Sequence, residues 1–192
     1  MSDYPQKILE LAERTGAVLY GDFTLSSGLK SDHYWDGKKV TLSSLGAYLV
    51  GKAILEKLTH MDIDAVGGPE IGAVPIATAV SIVSYLEGRD VPAFIVRKDP
   101  KKYGTKKPVE GYLKENNRVV IVEDVVTTGE SVMKAITAVE DQGCKVVKVI
   151  ALVDRHEGGG DRLRSAGYSF ESILDFQKKD GGIILAVSQP NT

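Results

Sequence analysis

The sequence predicts an α/β protein, a doubly wound, mostly parallel sheet flanked by helices, with a small N-terminal hood. Three observations predict it. From residue 63 onward, short β-branched runs alternate with stretches of helical periodicity, the pattern of βαβ units feeding a parallel sheet. The run Val119-Val120-Ile121-Val122 is continuously apolar rather than alternating, as expected of a strand covered on both faces. Turn chemistry follows the strands, at Gly67-Gly68, at Thr127 to Ser131 and at Gly158-Gly159-Gly160. In such sheets ligands collect at the carboxyl ends of strands.

Taken in order, residues 5 to 15 carry Ile8, Leu9, Leu11 and Ala12 before Gly16, which reads as a short amphipathic helix with a glycine stop. Extended pieces follow at Ala17 to Tyr20 and His33 to Asp36, around Ser26-Ser27-Gly28, and make a cap-like region. From Ser43 or Ser44 a helix is expected to run to about His60, with Leu45, Leu49, Ala53 and Leu58 on one face. Then come a strand from Ile63 to Gly67, a helix from Pro75 to Leu86 and strands at Ala93 to Val96 and Val119 to Asp124. A helix from Glu130 to Asp141 and a strand from Val146 to Asp154 complete the alternation. The tail, Tyr168 to Ile173 and Ile183 to Val187, is expected to supply another strand and parts of the cap. No repeat, low-complexity segment or linker interrupts the chain. One domain is expected over residues 1–192, its hood built from about 1–40 plus the C-terminal tail.

With 43% hydrophobic residues and a net charge of −2, the chain has no general attraction for nucleic acid or an anionic membrane. Any polyanion must be bound by a local basic patch. Cys144 is the single cysteine, so no intramolecular disulfide can form, and a reducing, cytoplasmic setting is expected. The N-terminus lacks the pattern of a secretory signal, and no apolar run approaches the ~18 residues of a membrane span.

The richest stretch runs from Val119 to Ser131. A buried strand ends in Glu123 and Asp124, and Thr127-Thr128-Gly129-Glu130-Ser131 leads into the helical pattern of Val132, Ala135, Ile136 and Val139. Unpaired N–H groups at a helix start attract an anion, and the hydroxyls of Thr127, Thr128 and Ser131 add donors. The two carboxylates would repel a polyphosphate but suit a sugar diol, so the expected ligand is a ribose whose 5-phosphate sits in the 127–131 loop. No Walker motif occurs, and His33, His60 and His156 lack metal-ligand spacing. A second anion-binding element is the segment from Arg97 to Lys107, with six cations against one anion. Pro100, Gly104, Pro108 and Gly111 keep it from being helical, and long irregular loops in compact domains are often lids.

This stretch resembles the phosphoribosyl pyrophosphate motif of the type I phosphoribosyltransferases: hydrophobic residues, two acids, two hydrophobic residues, then a Thr/Gly-rich turn. The basic segment is similar to the mobile catalytic loop of the orotate phosphoribosyltransferases, here Arg97, Lys98, Lys101, Tyr103 and Gly104 with Glu110-Gly111 beyond, about residues 97–111. Tyr103 stands where many members have histidine. Gly67 to Pro75 resembles the pyrophosphate loop, with glycines 67, 68 and 72 expected to permit strained backbone angles and expose N–H groups; many relatives carry lysine at Gly72. Ala151 to Gly159 resembles the segment whose arginine holds the pyrimidine, which makes Arg155 the base-reading residue. Phe23 to Asp36 resembles the hood, with Tyr34 and Trp35 as possible stacking partners of the base and Ser26 where some relatives have lysine.

The resemblance implies transfer of a phosphoribosyl group from phosphoribosyl pyrophosphate to orotate. Arg97, Lys98 and Lys101 are implied as catalytic, and the same three with Tyr103 as contacts of the pyrophosphate. Glu123 and Asp124 are implied on the diol; Val125, Val126, Thr127, Thr128, Gly129, Glu130 and Ser131 around the 5-phosphate; and Thr127 with Arg155 on orotate. It further implies Mg2+ carried by the substrate rather than held by protein, and a homodimer in which the loop closes over the neighbouring subunit's site. A purine phosphoribosyltransferase, the nearest rival, would need neither Arg155 nor the hood. A regulator sensing the same donor would need a DNA-reading element, and residues 1–60 show no basic stripe or helix-turn-helix.

Overall fold

The computed structural model describes residues 3–24, 30–98, 108–179 and 182–189. The first helix, α1 (Tyr4–Thr15), buries Ile8, Leu11 and Ala12 and stops where expected: Gly16 takes a left-handed φ of 63° and caps the Ala12 and Glu13 carbonyls. Strands β1 (Val18–Thr24) and β2 (Lys30–Trp35) pair antiparallel as a separate two-stranded sheet, the hood. Alternation in β2 turns His33 and Trp35 inward and Tyr34 outward.

A single turn, α2 (Lys38–Thr41), precedes α3 (Ser44–Lys57). Ser43 caps α3 by accepting from the Gly46 N–H at 3.0 Å. The buried face of α3 carries Leu49, Val50, Ala53 and Ile54. Leu45, expected on that face, is 47% exposed, and Leu58 is buried just past the helix end.

The main sheet comprises β3 (Ala65–Pro69), β4 (Ala93–Val96), β5 (Val109–Gly111), β6 (Arg118–Val126), β7 (Lys145–Asp154), β8 (Phe170–Lys179) and β9 (Gly182–Val187). Its order is β5-β4-β3-β6-β7-β8-β9. Strands β4, β3, β6, β7 and β8 run parallel, and β5 and β9 pair antiparallel at the edges. Helices α4 (Ala73–Leu86), α5 (Glu130–Glu140) and α6 (Gly159–Ser165) lie between strands in the chain. The tail departs from expectation: β8 continues through Lys179 and returns as β9 in the main sheet. It meets the hood at a hydrogen bond from the Leu185 N–H to Tyr20 Oη at 3.0 Å and where Phe176 of β8 packs on His33.

Two cores sandwich the sheet. Val120 and Val122 of β6 pack with α1, α3 and α4, while Val119 and Ile121 pack with α5, Leu163 and Phe170. This two-sided burial explains the unbroken apolar run. The chain steps from β3 outward to β4, then from β6 the other way to β7 and β8, so the strand order reverses between β3 and β6. Ligands of doubly wound sheets bind at that reversal, beyond the carboxyl ends of the strands.

Candidate active site

At the carboxyl end of β6, Glu123 is only 5% exposed, while Asp124 is half-buried. Glu123 Oε1 accepts the Asp124 N–H at 3.1 Å, and Oε2 accepts the Ser131 hydroxyl at 3.0 Å. Burial, with the neighbouring Asp124 charge, pushes the Glu123 carboxyl up to about 8. Ser131, expected as a phosphate donor, therefore spends its hydroxyl on Glu123.

The chain turns at Thr127, Thr128 and Gly129 and enters α5 at Glu130. Gly129 takes a φ of 73°, and a Cβ there would lie 3.1 Å from the Gly159 carbonyl oxygen, so glycine is required both by angle and by space. The Gly159 N–H donates to the Thr127 carbonyl at 2.9 Å, tying the loop to the turn after β7. No side chain caps α5, which leaves its first N–H groups directed at the loop, as an anion site needs. Glu130 is exposed and pairs with Lys134 at 2.7 Å, and Val126 is a core residue whose carbonyl accepts the Arg155 N–H at 3.0 Å. Val125 is half-buried against the α1–α3–α4 core.

The β3 turn corrects one expectation. None of Gly67, Gly68 and Gly72 takes a positive φ; Gly67 and Gly68 are buried strand residues, where a Cβ would lie 2.3 Å from the Phe94 carbonyl oxygen and 2.0 Å from that of Val122 respectively. Close strand and helix packing, not strained angles, demands glycine there. Gly72 does face the site: a Cβ would sit 2.3 Å from Asp124 Oδ1 and 2.8 Å from Glu123 Oε1. Both acids thus lean on the turn between β3 and α4.

Beside that turn, the basic segment begins at the carboxyl end of β4. The Arg97 N–H donates to the Pro108 carbonyl at 2.8 Å, and its guanidinium Nη1 lies 3.3 Å from Glu110 and 3.9 Å from Glu70. The Lys98 N–H donates to Glu70 Oε1 at 3.0 Å. Lys101, Tyr103 and the other residues of 99–107 lie outside the described residues, as do Ser26, Ser27 and Gly28.

Arg155 follows β7 and is 8% exposed. Its Nε donates to Glu157 at 2.7 Å, its Nη2 donates to the Ser31 hydroxyl of the hood at 3.0 Å, and its guanidinium lies 5.7 Å from the Phe176 ring centre. His33 packs against the same ring, with ring centres 4.1 Å apart, and its Nδ1 lies 2.7 Å from Asp32. Ser31, His33, Glu157 and Phe176 escaped the sequence reading: Ser31, His33 and Phe176 meet partners far away in the chain, while Glu157 sits two positions from Arg155, and the sole signal was the nearness of Ser31, His33 and Glu157 to the hood and Arg155 motifs. Trp35 is core, while Tyr34 faces out, 5.7 Å from Phe23.

Residues 46–181 match the phosphoribosyl transferase domain. The orotate phosphoribosyltransferase of Methanosphaera stadtmanae is 42% identical over 91% of this chain and 95% of that protein. That of a Nostoc species is 45% identical over 93% of this chain and 88% of the relative. Among solved structures, the Mycobacterium tuberculosis orotate phosphoribosyltransferase in complex with 5-phospho-α-D-ribosyl 1-diphosphate superposes with a TM-score of 0.75 at 34% identity, covering 90% of this chain and 96% of that one. The chain belongs to the orotate phosphoribosyltransferase family.

Proposed function

We propose that the chain transfers the 5-phosphoribosyl group from phosphoribosyl pyrophosphate to orotate, giving orotidine 5′-phosphate and pyrophosphate in pyrimidine synthesis. The observation that carries this reading is the adjacency of two recognition units. Arg155, which can grip a carboxylate or imide edge, hydrogen-bonds through its own N–H to the strand end that opens the acid pair and the uncapped α5. Glu123 and Asp124 hold the ribose diol, residues 127 to 131 the 5-phosphate, and Thr127 with Arg155 the orotate. Arg97, Lys98, Lys101 and Tyr103 cover the pyrophosphate.

Breaking the C1–O bond gives an oxocarbenium-like ribosyl centre, so the protein must orient the base, stabilise the leaving group and exclude water. Magnesium fits the site as an ion that rides on the substrate's phosphates and needs few protein ligands, with the Asp124 carboxylate beside it as a hard oxygen donor of the type it prefers. When bound, it offsets the charge gathering on pyrophosphate.

The chain works as one domain over residues 1–192, in the cytoplasm, as a homodimer whose basic loop, between β4 and β5, reaches the neighbouring site. Support for the dimer is the apolar surface of Leu42, Leu45 and Tyr48 with Ile82, Tyr85 and Leu86 of α4, all exposed. Among the described residues no helix is long and apolar enough to cross a membrane. The test is incubation with the donor and orotate, uracil, adenine or guanine separately. Pyrophosphate release with orotate alone is expected; release with a purine and not orotate would overturn the assignment.

A further inference from the structure

We propose that Trp35 is a positioning residue for Asp124, its indole N–H serving as the donor that holds the carboxylate when it turns to the ribose. The inference rests on the reading that Asp124 takes the ribose hydroxyls. Trp35 is the chain's single tryptophan, 7% exposed, and its Nε1 is buried with no hydrogen-bond partner among the described residues. An indole N–H can only donate, and such groups when buried normally find an acceptor. The acceptor is close by. A Cβ at Gly37 would lie 2.8 Å from Trp35 Nε1 and 3.4 Å from Asp124 Oδ2, so both atoms border one small space that glycine keeps open.

The other carboxylate oxygen, Oδ1, faces Gly72. Asp124 therefore lies between two glycines, one on the hood side and one on the turn before α4. Resting against Gly72, it leaves the indole unpaired. Swung off Gly72, its Oδ2 moves into the space beside Gly37 and takes the Trp35 N–H, and Oδ1 is freed for a ribose hydroxyl. A hydrogen bond to a carboxylate is among the stronger kinds. Trp35 thus links the hood to the diol end of the site through one atom.

Trp35→Phe keeps the ring packing and deletes the donor. With magnesium present, the variant should bind phosphoribosyl pyrophosphate about 10- to 100-fold more weakly, the range for one hydrogen bond to a charged group. KM for the donor should rise in step, with KM for orotate, kcat and melting temperature little changed. In the unsubstituted protein, titration with the donor should shift tryptophan emission, since Trp35 is its only source, and Asp124→Ala, which removes the acceptor, should abolish that shift. Donor affinity in Trp35→Phe equal to that of the parent overturns the proposal. Should Trp35→Phe fail to fold, the emission titration decides, and emission that ignores the donor overturns it. If Asp124→Ala itself leaves donor affinity unchanged, the diol reading fails instead.

Discussion

Arg155 is held by a carboxylate, a hydroxyl and an aromatic face, so its guanidinium plane is fixed before any ligand arrives. Arg155→Ala should raise KM for orotate about 10- to 100-fold, the range for losing a hydrogen bond to a charged group, and change donor affinity far less. Equal losses for both substrates would take Arg155 off the base. Glu123 makes a second prediction at this scale. Its carboxyl ionises near 4.5 in an ordinary setting and near about 8 in the fold, so between those values the folded state holds a proton that the unfolded chain has released. The stability this contributes is full below the lower value and is lost as pH rises through the upper one. Glu123→Gln stays neutral throughout, so its unfolding free energy should fall less than the parent's between pH 5 and 8.5 in urea melts. Identical slopes would mean that Glu123 is ionised in the unliganded fold. Both roles were legible as motifs; the shifted ionisation was not, because it depends on burial.

Elements with strong periodicity match the sequence reading closely. The start of α3 was legible from a serine, and the hydroxyl at Ser43 does the expected work. Ser43→Ala should cost about 1 kcal/mol and lower the melting temperature by about 2–4 °C, leaving catalysis intact. A calorimetric scan showing no change would remove the cap from the account of α3. Besides the single turn α2, two elements were not legible. Strand β5 has three residues, too few to show a period, and exists because it can add to the edge of β4. Helix α6 begins with two glycines that read as a turn. They are glycines because a Cβ at Gly159 would lie 2.5 Å from the Thr127 carbonyl oxygen and one at Gly160 would lie 2.7 Å from Asp154 Oδ2. The residues answer to neighbours across the sheet, not to helix propensity.

At the scale of the molecule, the exposed apolar side chains divide unevenly. Ile82, Tyr85 and Leu86 lie on one helix, and α3 packs on that helix closely enough that a Cβ at Gly51 would lie 3.0 Å from the Ala79 carbonyl oxygen. Burying this surface in a second copy would remove it from water at about 25 cal/mol per Å². Ile82→Asp is expected to shift the protein from dimer to monomer in sedimentation velocity, and turnover should fall with it, since the loop would lose the site it covers. A variant that stays dimeric would move the interface elsewhere, and a fully active monomer would confine the loop to its own subunit.

The sequence by itself determined the strand–helix alternation, the acid pair with its hydroxyl-rich turn, the arginine after β7 and the family these motifs resemble, because each is written in neighbouring residues. Only the tertiary structure decided which groups share a site. Arg155 meets Ser31 from 124 positions away. Gly72 and Gly37 approach Asp124 from two other segments. Tyr20 takes its hydrogen bond from Leu185. Such contacts leave no local pattern, since burial, steric fit and shifted ionisation arise only when distant parts of the chain exclude water together.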